Sequence, residues 1–150
     1  MDDRQVVNGL VPDVAPVVES FLHAVLRDKD FDTVEALLAD DVVYENVGYP
    51  TLRGGQRIVT TFRRMAAKMP WLCWDVRIHR IVTDGTSVLT ERTDAIIIGP
   101  FQAHFWVCGV FEVRDGRITL WRDYFDLFDM FKGSVRGVAA IAIPTLRRTL

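Results

Sequence analysis

The sequence lacks several features that would each indicate a particular class of protein. It has only two cysteines, Cys73 and Cys108, among 150 residues. Both lie inside apolar stretches and not at metal-ligand spacing, so we expect reduced, buried thiols and neither a disulfide framework nor a metal site. The longest late apolar stretch, residues 137–144, is far shorter than the ~20 residues that cross a bilayer. These absences predict no transmembrane segment and no disulfide scaffold.

An excess of charge of one sign is also missing. The formal net charge is −2, and the basic residues are scattered among acidic ones. A nucleic-acid-binding domain carries a clustered basic surface instead, so nucleic acid is not an expected partner. Residues 1–10 lack the basic start and long apolar run of a signal peptide, and a cytoplasmic location is therefore expected.

The chain does contain enough apolar material for one core. Hydrophobic residues make up 49% of it and charged residues 25%. A chain of this length buries roughly 70% of its unfolded surface on folding. We therefore expect a single domain over residues 1–150.

Helical periodicity characterises the first third of the chain. Apolar residues recur at three- and four-residue intervals, which predicts one helix over about residues 13–28. Asp32 and Glu35 match a capping box and predict a short second helix that ends near Asp40. Residues 42–47 are rich in β-formers and form a predicted strand.

A third helix is predicted over about residues 55–67. Beyond Cys73 the apolar residues recur at every second position, as they do in strands. Turn signals separate β-rich runs at residues 84–85, 99–100 and 114–116, which predicts a meander of four strands. After Asp126 we expect only a brief helical turn and an apolar tail. Helices followed by an antiparallel meander indicate an α+β fold, in which the helices pack on one face of a curved sheet and leave an apolar pocket.

Three predicted strands carry polar groups on faces that are otherwise apolar. Period two places Arg92 and Asp94 on one face of the strand 87–98. In the last strand, Asp123 shares a face with two aromatic residues. An inward Asp–Arg pair alone is more often a structural ion pair than a catalytic one. Several such groups together are a costly way to fill a core, because apolar replacements are often as stable.

The same segments carry a family resemblance. VVYENVGY at 42–49, VLTERTDAI at 88–96 and GVFEVRDGRITLWRDYFD at 109–126 resemble the limonene-epoxide hydrolase family, in particular its actinobacterial lipid or sterol epoxide hydrolases. The resemblance implies the cone-shaped NTF2-like fold, whose helices and strongly curved mixed or antiparallel sheet enclose a deep apolar pocket. It also implies a homodimer, a lipophilic epoxide and water as substrates, and no metal or organic cofactor.

The resemblance also assigns roles to five side chains. It implies that Tyr44 and Asn46 hold the attacking water, that Asp123 is the general base, that Asp94 is the general acid and that Arg92 bridges the two acids. We expect the pocket wall to include four further residues: Ile96, Trp106, Trp121 and Phe125. The substrate class, a terpene, sterol or fatty-acid epoxide, stays open at this stage.

Two other functions are compatible with the same pattern. One is a different enzyme on this fold, resembling ketosteroid isomerases or polyketide cyclases, and the other is a non-catalytic carrier of a lipophilic ligand. His104 is of interest because NTF2-like dehydratases use a histidine, but we interpret it as structural, together with His23 and His79. Met65 and Met130 are expected in the core or the pocket wall.

Overall fold

The protein consists of helices packed on one six-stranded sheet, as a computed structural model describes for residues 13–150. The expectations drawn from residues 1–10 lie outside the described residues. The helices are α1 (Ala15–Leu22), a π-helix (His23–Asp28), α2 (Phe31–Leu37), α3 (Gly55–Lys68), α4 (Leu127–Ala142) and a short 3-10 helix (Pro144–Leu146). The strands are β1 (Leu38–Asn46), β2 (Leu52–Arg53), β3 (Leu72–Asp84), β4 (Ser87–Ile98), β5 (Phe101–Arg114) and β6 (Arg117–Phe125).

The first helical segment covers the predicted range but changes its winding. Its apolar stripe is buried as expected, with Phe21 and Leu22 fully inaccessible. The α-helix widens into a π-helix after Leu22, and the π-helix ends at Lys29, whose φ of 54° lies in the left-handed region. The predicted single helix is therefore α-helical only in its first half.

The start and end of α2 correct two predictions. Asp30, not Asp32, is the N-cap, and its Oδ1 accepts a hydrogen bond from the backbone N–H of Thr33 at 3.1 Å. Asp30 has the non-helical backbone of a cap because it follows the left-handed Lys29, whereas Asp32 is already helical. The helix ends at Leu37 instead of near Asp40, because the next residues pair with β6 as strand β1.

The sheet has the order β2-β1-β6-β5-β4-β3. Strands β3 to β6 form the predicted antiparallel meander, and β1 joins it by parallel pairing with β6. The sheet is therefore mixed. This pairing places Asn46 opposite Asp123, and Gly109 of β5 opposite both Asp123 and Thr90. The predicted α+β class is confirmed.

Helix α4 is longer than the sequence predicted. It has 16 residues and begins after its N-cap Asp126, whose Oδ1 accepts from the N–H groups of Phe128 and Asp129. Gly133 and Gly137, which interrupt the helical pattern, lie where the helix crosses β5. A Cβ at residue 133 would lie 2.3 Å from the carbonyl oxygen of His104. These glycines permit close approach of two backbones, and they do not break the helix.

The two cysteines are less buried than expected. Cys73 is exposed and Cys108 is half-buried, and both are free thiols. Cys73 is exposed because it alternates with Leu72 and Trp74 on the edge strand β3, so its side chain points away from the helices. Within residues 13–150, no helix is both long and apolar enough to span a membrane.

We expect Gly133→Ala to destabilise the fold, although alanine favours helices by about 1 kcal/mol over glycine. The added methyl would overlap a backbone oxygen of β5, which has no rotamer with which to move away. Overpacking of this kind costs about 1–3 kcal/mol and should lower the urea midpoint. Arg136→Ala, on the exposed side of the same helix, is the matched control. An unchanged or raised midpoint for Gly133→Ala would contradict the close approach.

Candidate active site

A buried guanidinium joins two carboxylates at the centre of the sheet. Arg92 of β4 donates from Nε to Asp94 Oδ1 at 2.9 Å and from Nη2 to Asp94 Oδ2 at 3.2 Å. The same Nη2 donates to Oδ2 of Asp123 on β6 at 2.7 Å. The exposed fractions are 1% for Arg92, 4% for Asp94 and 5% for Asp123. The structure therefore brings these three predicted residues into one hydrogen-bonded group away from bulk water.

The charges of this group determine where a proton resides. Burial disfavours the charge on Arg92, but the carboxylates of Asp123 and Asp94 outweigh it and raise the pKa of the guanidinium. Burial raises the pKa of Asp94 above its ordinary value, and the negative charge of Asp123 adds to the rise, while Arg92 opposes it. Two carboxylates and one cation would leave a net negative charge in an apolar region. Retaining one proton, on Asp94, makes the group neutral.

Asp123 has one engaged and one unengaged oxygen. Oδ2 accepts from Arg92 and from the indole Nε1 of Trp121 at 2.9 Å. Oδ1 is buried and has no hydrogen-bond partner among the residues that the structure describes. A buried carboxylate oxygen without a partner is rare in folded proteins. The free oxygen is therefore a place for a water molecule or a reacting group.

Tyr44 and Asn46 lie on the strand next to Asp123. Asn46 Nδ2 donates to Tyr44 Oη at 2.5 Å. Burial raises the pKa of Tyr44, and the charge of Asp123 raises it further, so the phenol keeps its proton at neutral pH. The tyrosine ring stacks on Trp121, with ring centroids 3.9 Å apart. The strand pairing thus presents a phenol and an amide beside the carboxylate of Asp123.

Three residues support this group; Thr90 and Gly109 were not assigned a role from the sequence, and Trp121 was assigned only to the pocket wall. The N–H of Trp121 fixes Asp123, and Thr90 Oγ1 lies 3.4 Å from Arg92 Nη1. Gly109 leaves room for the guanidinium, since a Cβ there would lie 2.5 Å from Arg92 Nη1. A glycine inside a strand is itself a signal of close approach. Trp121 and Thr90 each lie two residues from their partner on the same strand, so alternation places each pair on one face.

An apolar cavity of about 350 Å³ opens beside these groups, between the helices and the sheet. Asp94, Asp123, Tyr44 and Asn46 lie in its wall, which the structure completes with residues of most elements: Val25, Leu26, Lys29, Phe31, Tyr49, Leu52, Thr61, Phe62, Met65, Ala66, Met69, Leu72, Trp74, Phe105, Val107, Trp121, Phe125 and Met130.

Of the four predicted wall residues, Trp121 and Phe125 line this cavity, and Ile96 and Trp106 do not. Trp106 is 45% exposed and lies on the opposite face of β5, where its backbone N–H donates to Asp129 of α4. Its neighbours Phe105 and Val107 face the cavity instead, because side chains alternate along a strand. The assignment of Trp106 to the wall is therefore corrected.

The histidines lie away from this group. His104 lines a separate cleft between β5 and α4, and burial, followed by the charge of Arg148, lowers its pKa. His79 Nε2 lies 2.8 Å from Thr93 Oγ1 on the outer part of the sheet. Among residues 13–150, no group of three or more histidines, cysteines and acidic side chains is placed to hold a metal ion.

Two carboxyl groups thus lie on either side of one buried cation in the wall of one apolar cavity. The family of the chain is decided by a match of residues 12–136 to the family model described as limonene-1,2-epoxide hydrolase catalytic domain. The chain belongs to the limonene-1,2-epoxide hydrolase family. The match includes β4 and β6, which carry the group, and β1, which carries Tyr44 and Asn46.

Relatives agree with this membership. The chain is 61% identical over 133 residues to epoxide hydrolase EphG of Mycobacterium tuberculosis, with 89% of this chain and 87% of that protein covered. A solved LEH-like epoxide hydrolase from M. tuberculosis superposes with a TM-score of 0.84 at 58% identity, covering 91% of this chain and 95% of that one.

An NTF2-like protein of unknown function from Burkholderia pseudomallei superposes with a TM-score of 0.67 at 17% identity, covering 82% of this chain and 98% of that one. A likeness at this identity concerns the fold alone. Together with the family match, it confirms the NTF2-like fold that the sequence resemblance implied. The roles of the five polar residues in this limonene-1,2-epoxide hydrolase family member stay predictions.

The raised pKa of Asp94 predicts a pH-dependent effect of Asp94→Asn on stability. When folding raises the pKa of an acid, the acid lowers the free energy of unfolding at any pH above its pKa in the unfolded chain, which is 3.8 for Asp94. This loss of stability grows with pH until the pH passes the pKa in the folded protein. Asparagine carries no charge and avoids that cost. Asp94→Asn should therefore match the wild type near pH 4 and exceed its free energy of unfolding at pH 8 by roughly 1 kcal/mol or more.

Urea unfolding at the two pH values measures this difference. Asp84→Asn, at the exposed end of β3, is the control and should change stability equally at both pH values. A wild type that is more stable than Asp94→Asn at pH 8 would mean that Asp94 is stabilised as an anion.

Proposed function

We propose that the protein adds water to a bulky lipophilic epoxide and releases a vicinal diol in one step, by general acid–base catalysis. The enzyme class, epoxide hydrolase, is that of the family to which the chain belongs. The one-step mechanism, the residue roles and the lipophilic substrate are our inference from the site. The observation that carries it is Arg92, buried and hydrogen-bonded to both Asp94 and Asp123 at the wall of an apolar cavity.

Epoxide opening needs a nucleophile at carbon and a proton for the departing oxygen. Neutral water is a weak nucleophile and a bare alkoxide is a poor leaving group, so a base and an acid must act together. Asp123 is proposed as the base, because its Oδ1 is free and lies in the wall beside Tyr44 and Asn46. These two residues orient the water, whose oxygen bonds to an epoxide carbon as its proton moves to Asp123.

Asp94 is proposed as the acid. Burial raises its pKa and so favours the protonated form, which gives its proton to the epoxide oxygen as the carbon–oxygen bond breaks. After turnover the proton resides on Asp123. Arg92 contacts both carboxylates and has several N–H donors, which suits it to stabilise either protonation state while the proton returns to Asp94.

A direct attack by Asp123 on the epoxide carbon is not part of this proposal. Its Oδ2 is occupied by hydrogen bonds from Arg92 and Trp121. Asp123 pairs with Asn46 in the β1–β6 register, and the Tyr44–Asn46 pair is suited to hold water between the carboxylate and a substrate. A water-mediated attack leaves no ester intermediate to hydrolyse.

The site also distinguishes this reaction from the two rivals. An isomerase that shifts a proton needs a base and an uncharged donor pair, and it gains nothing from a guanidinium that binds both acids. A carrier of apolar ligands gains nothing from the group, whose three charged side chains would be replaced by apolar ones at little cost. The bridged acids therefore favour hydrolysis.

Replacing either acid should abolish turnover without unfolding the protein. General acids and bases typically contribute ~100- to 10,000-fold each, so we expect kcat/KM to fall by at least about 100-fold in Asp123→Asn and Asp94→Asn. Diol formation from a panel of lipophilic epoxides is measured by mass spectrometry. Asp84→Asn is the matched control and should retain full activity.

Turnover in ¹⁸O-labelled water tests the absence of a covalent intermediate. With excess enzyme, the first diol formed should contain one labelled oxygen. Unlabelled diol in the first turnover would identify a carboxylate as the nucleophile, and near wild-type activity of Asp123→Asn would remove the proposed base.

We further propose that the protein forms a homodimer through α4. This helix exposes a row of large apolar side chains: Leu127, Phe128, Phe131, Val135, Val138 and Ile141. A continuous apolar surface of this kind usually marks an interface. A second copy of the chain covers it by twofold symmetry, with α4 of each protomer against the other.

Sedimentation equilibrium tests the dimer. The wild type should sediment as a dimer and Phe131→Glu as a monomer, because the carboxylate would have to be buried in the apolar contact. Val82→Glu, at an exposed position of β3, is the control and should stay dimeric. A monomeric wild type, or an unaffected Phe131→Glu, would contradict this assembly.

Two expectations from the sequence also stay proposals. A cytoplasmic location is supported by the free thiols of Cys73 and Cys108, which suit a reducing compartment; fractionation of cells that produce the protein tests it. A single domain over residues 1–150 is supported by one sheet that runs through the described residues; a single unfolding transition by two spectroscopic probes tests it.

A further inference from the structure

A second concave site lies outside the active-site cavity. It is a cleft of about 390 Å³ between the outer face of β5, helix α4 and the segment that follows α4. Among the described residues, Phe105 alone lines both spaces, and neither Asp94 nor Asp123 lines the cleft. Its volume is within the ~300–1,000 Å³ usual for small-molecule sites. The proposed hydrolysis does not use this cleft.

The cleft concentrates positive charge in a protein whose formal net charge is −2. Four basic side chains line it, two from α4 and two from the segment beyond: Lys132, Arg136, Arg147 and Arg148. Asp129 is the one acidic residue in the part of the wall that the structure describes. Its Oδ1 lies 3.4 Å from Lys132 Nζ, and its Oδ2 accepts from the backbone N–H of Trp106. Asp129 and Lys132 therefore compensate each other, and the three arginines leave the wall positive.

The charge of these arginines acts inside the cleft. Lys132 is the one cation of the wall that forms an ion pair within residues 13–150, so the arginines are available to a ligand. Burial lowers the pKa of His104, and the positive charge of Arg148 lowers it further, while Asp75 opposes the change. His104 lines the cleft, and the effect of Arg148 on it shows a positive potential there.

Helix α4 presents the cleft and its apolar row on different sides. Residues 129, 132, 136 and 140 line the cleft at three- and four-residue intervals, which places them on one side of the helix. Phe131, Val135 and Val138 of the apolar row lie about half a turn away from them. A dimer through the apolar row therefore leaves the cleft accessible.

The donors of the wall fit a phosphate group. A guanidinium presents its N–H donors in a planar fork that matches phosphate oxygens, and a phosphate monoester has three terminal oxygens to accept them. The remaining wall includes the apolar side chains of Pro100 and Leu146 and the half-exposed indole of Trp106. The indole Nε1 of Trp106 donates to Glu91 Oε1 at 3.4 Å. The ring is thus fixed beside the cations and offers an apolar face to the rest of a ligand.

We propose that this cleft binds a small organic phosphate, with the phosphate among the arginines at positions 136, 147 and 148 and the organic part against Trp106. Like charges gathered in one wall repel each other, and a bound dianion removes that repulsion. The site is separate from epoxide hydrolysis and stands or fails independently of it.

Isothermal titration calorimetry of the intact protein with three probes tests the chemistry of the site. The probes are phenyl phosphate, inorganic phosphate and phenol. We expect phenyl phosphate to bind most tightly, inorganic phosphate more weakly and phenol not measurably, because the anion provides most of the affinity. Binding should weaken at high ionic strength, since the arginines are exposed. Trp106→Ala should lower the affinity for phenyl phosphate to that for inorganic phosphate.

Substitution of one arginine tests the donors. Arg148→Gln should weaken phenyl phosphate binding about tenfold, as expected for loss of hydrogen bonds to a charged group. Arg148→Lys should lose less, because it keeps the charge but not the planar fork. Arg64→Gln, at an exposed position of α3 outside the cleft, is the matched control and should bind as the wild type does. Circular dichroism verifies the fold of each variant, and epoxide hydrolysis should be unchanged in all three.

The histidines report where the ligand lies. The protein has three, so their ring protons are readily followed by NMR. Phenyl phosphate should shift the ring protons of His104 and raise its pKa, because the anion offsets the charge of Arg148. The ring protons of His23 and His79, which lie outside the cleft, should not shift.

Four outcomes would overturn the phosphate site. These are no binding of phenyl phosphate at low ionic strength, equal binding of phenyl phosphate and phenol, unchanged binding by Arg148→Gln, and an unshifted His104. Binding to phosphatidylserine vesicles without binding of phenyl phosphate would assign the cations to a membrane surface and would overturn it as well.

Discussion

The buried charge of Arg92 is the constraint on which the site depends. An arginine with 1% exposure can stay ionised only if anions pair with it, because an unpaired buried charge costs several kcal/mol. Asp94 and Asp123 provide that pairing. Since two anions exceed one cation, an apolar cavity favours one retained proton, and burial raises the pKa of Asp94. A group that is neutral overall can be buried at lower cost. The same single retained proton would supply an acid and a base together.

Sheet topology explains how the group assembles. Arg92 lies on β4 and Asp123 on β6, and β5 runs between them. The register places Gly109 of β5 opposite Thr90 on one side and Asp123 on the other, so the arginine side chain crosses β5 where no side chain stands. The parallel pairing of β1 with β6 then adds Asn46 at the same level. Arg92 and Asp123 are distant in sequence, and they meet because the intervening residue of β5 is a glycine with no side chain.

The two-residue alternation of side chains along a strand predicted much of the site. The rest depends on contacts between different helices and strands. Alternation gives the faces of Arg92, Asp94 and Asp123 from sequence alone. Alternation also puts Trp106 and Phe105 on opposite faces of β5. The prediction that Trp106 lines the cavity did not take this into account, and Phe105 lines it instead. The length of α4 was not predicted: glycine is unfavourable inside a helix, and only the close approach of β5 explains Gly133 and Gly137.

The packing of Trp121 determines which oxygen of Asp123 is free. Trp121 is stacked against Tyr44 and meets Phe21 edge-on, with ring centroids 4.9 Å apart in the second pair. A ring held from two sides has little freedom to rotate, so its N–H stays directed at Oδ2. Arg92 engages that same oxygen, and Oδ1 is left without a hydrogen-bond partner among the described residues. The aromatic core thus bears on the proposed chemistry, because it fixes which oxygen of the carboxylate stays unengaged.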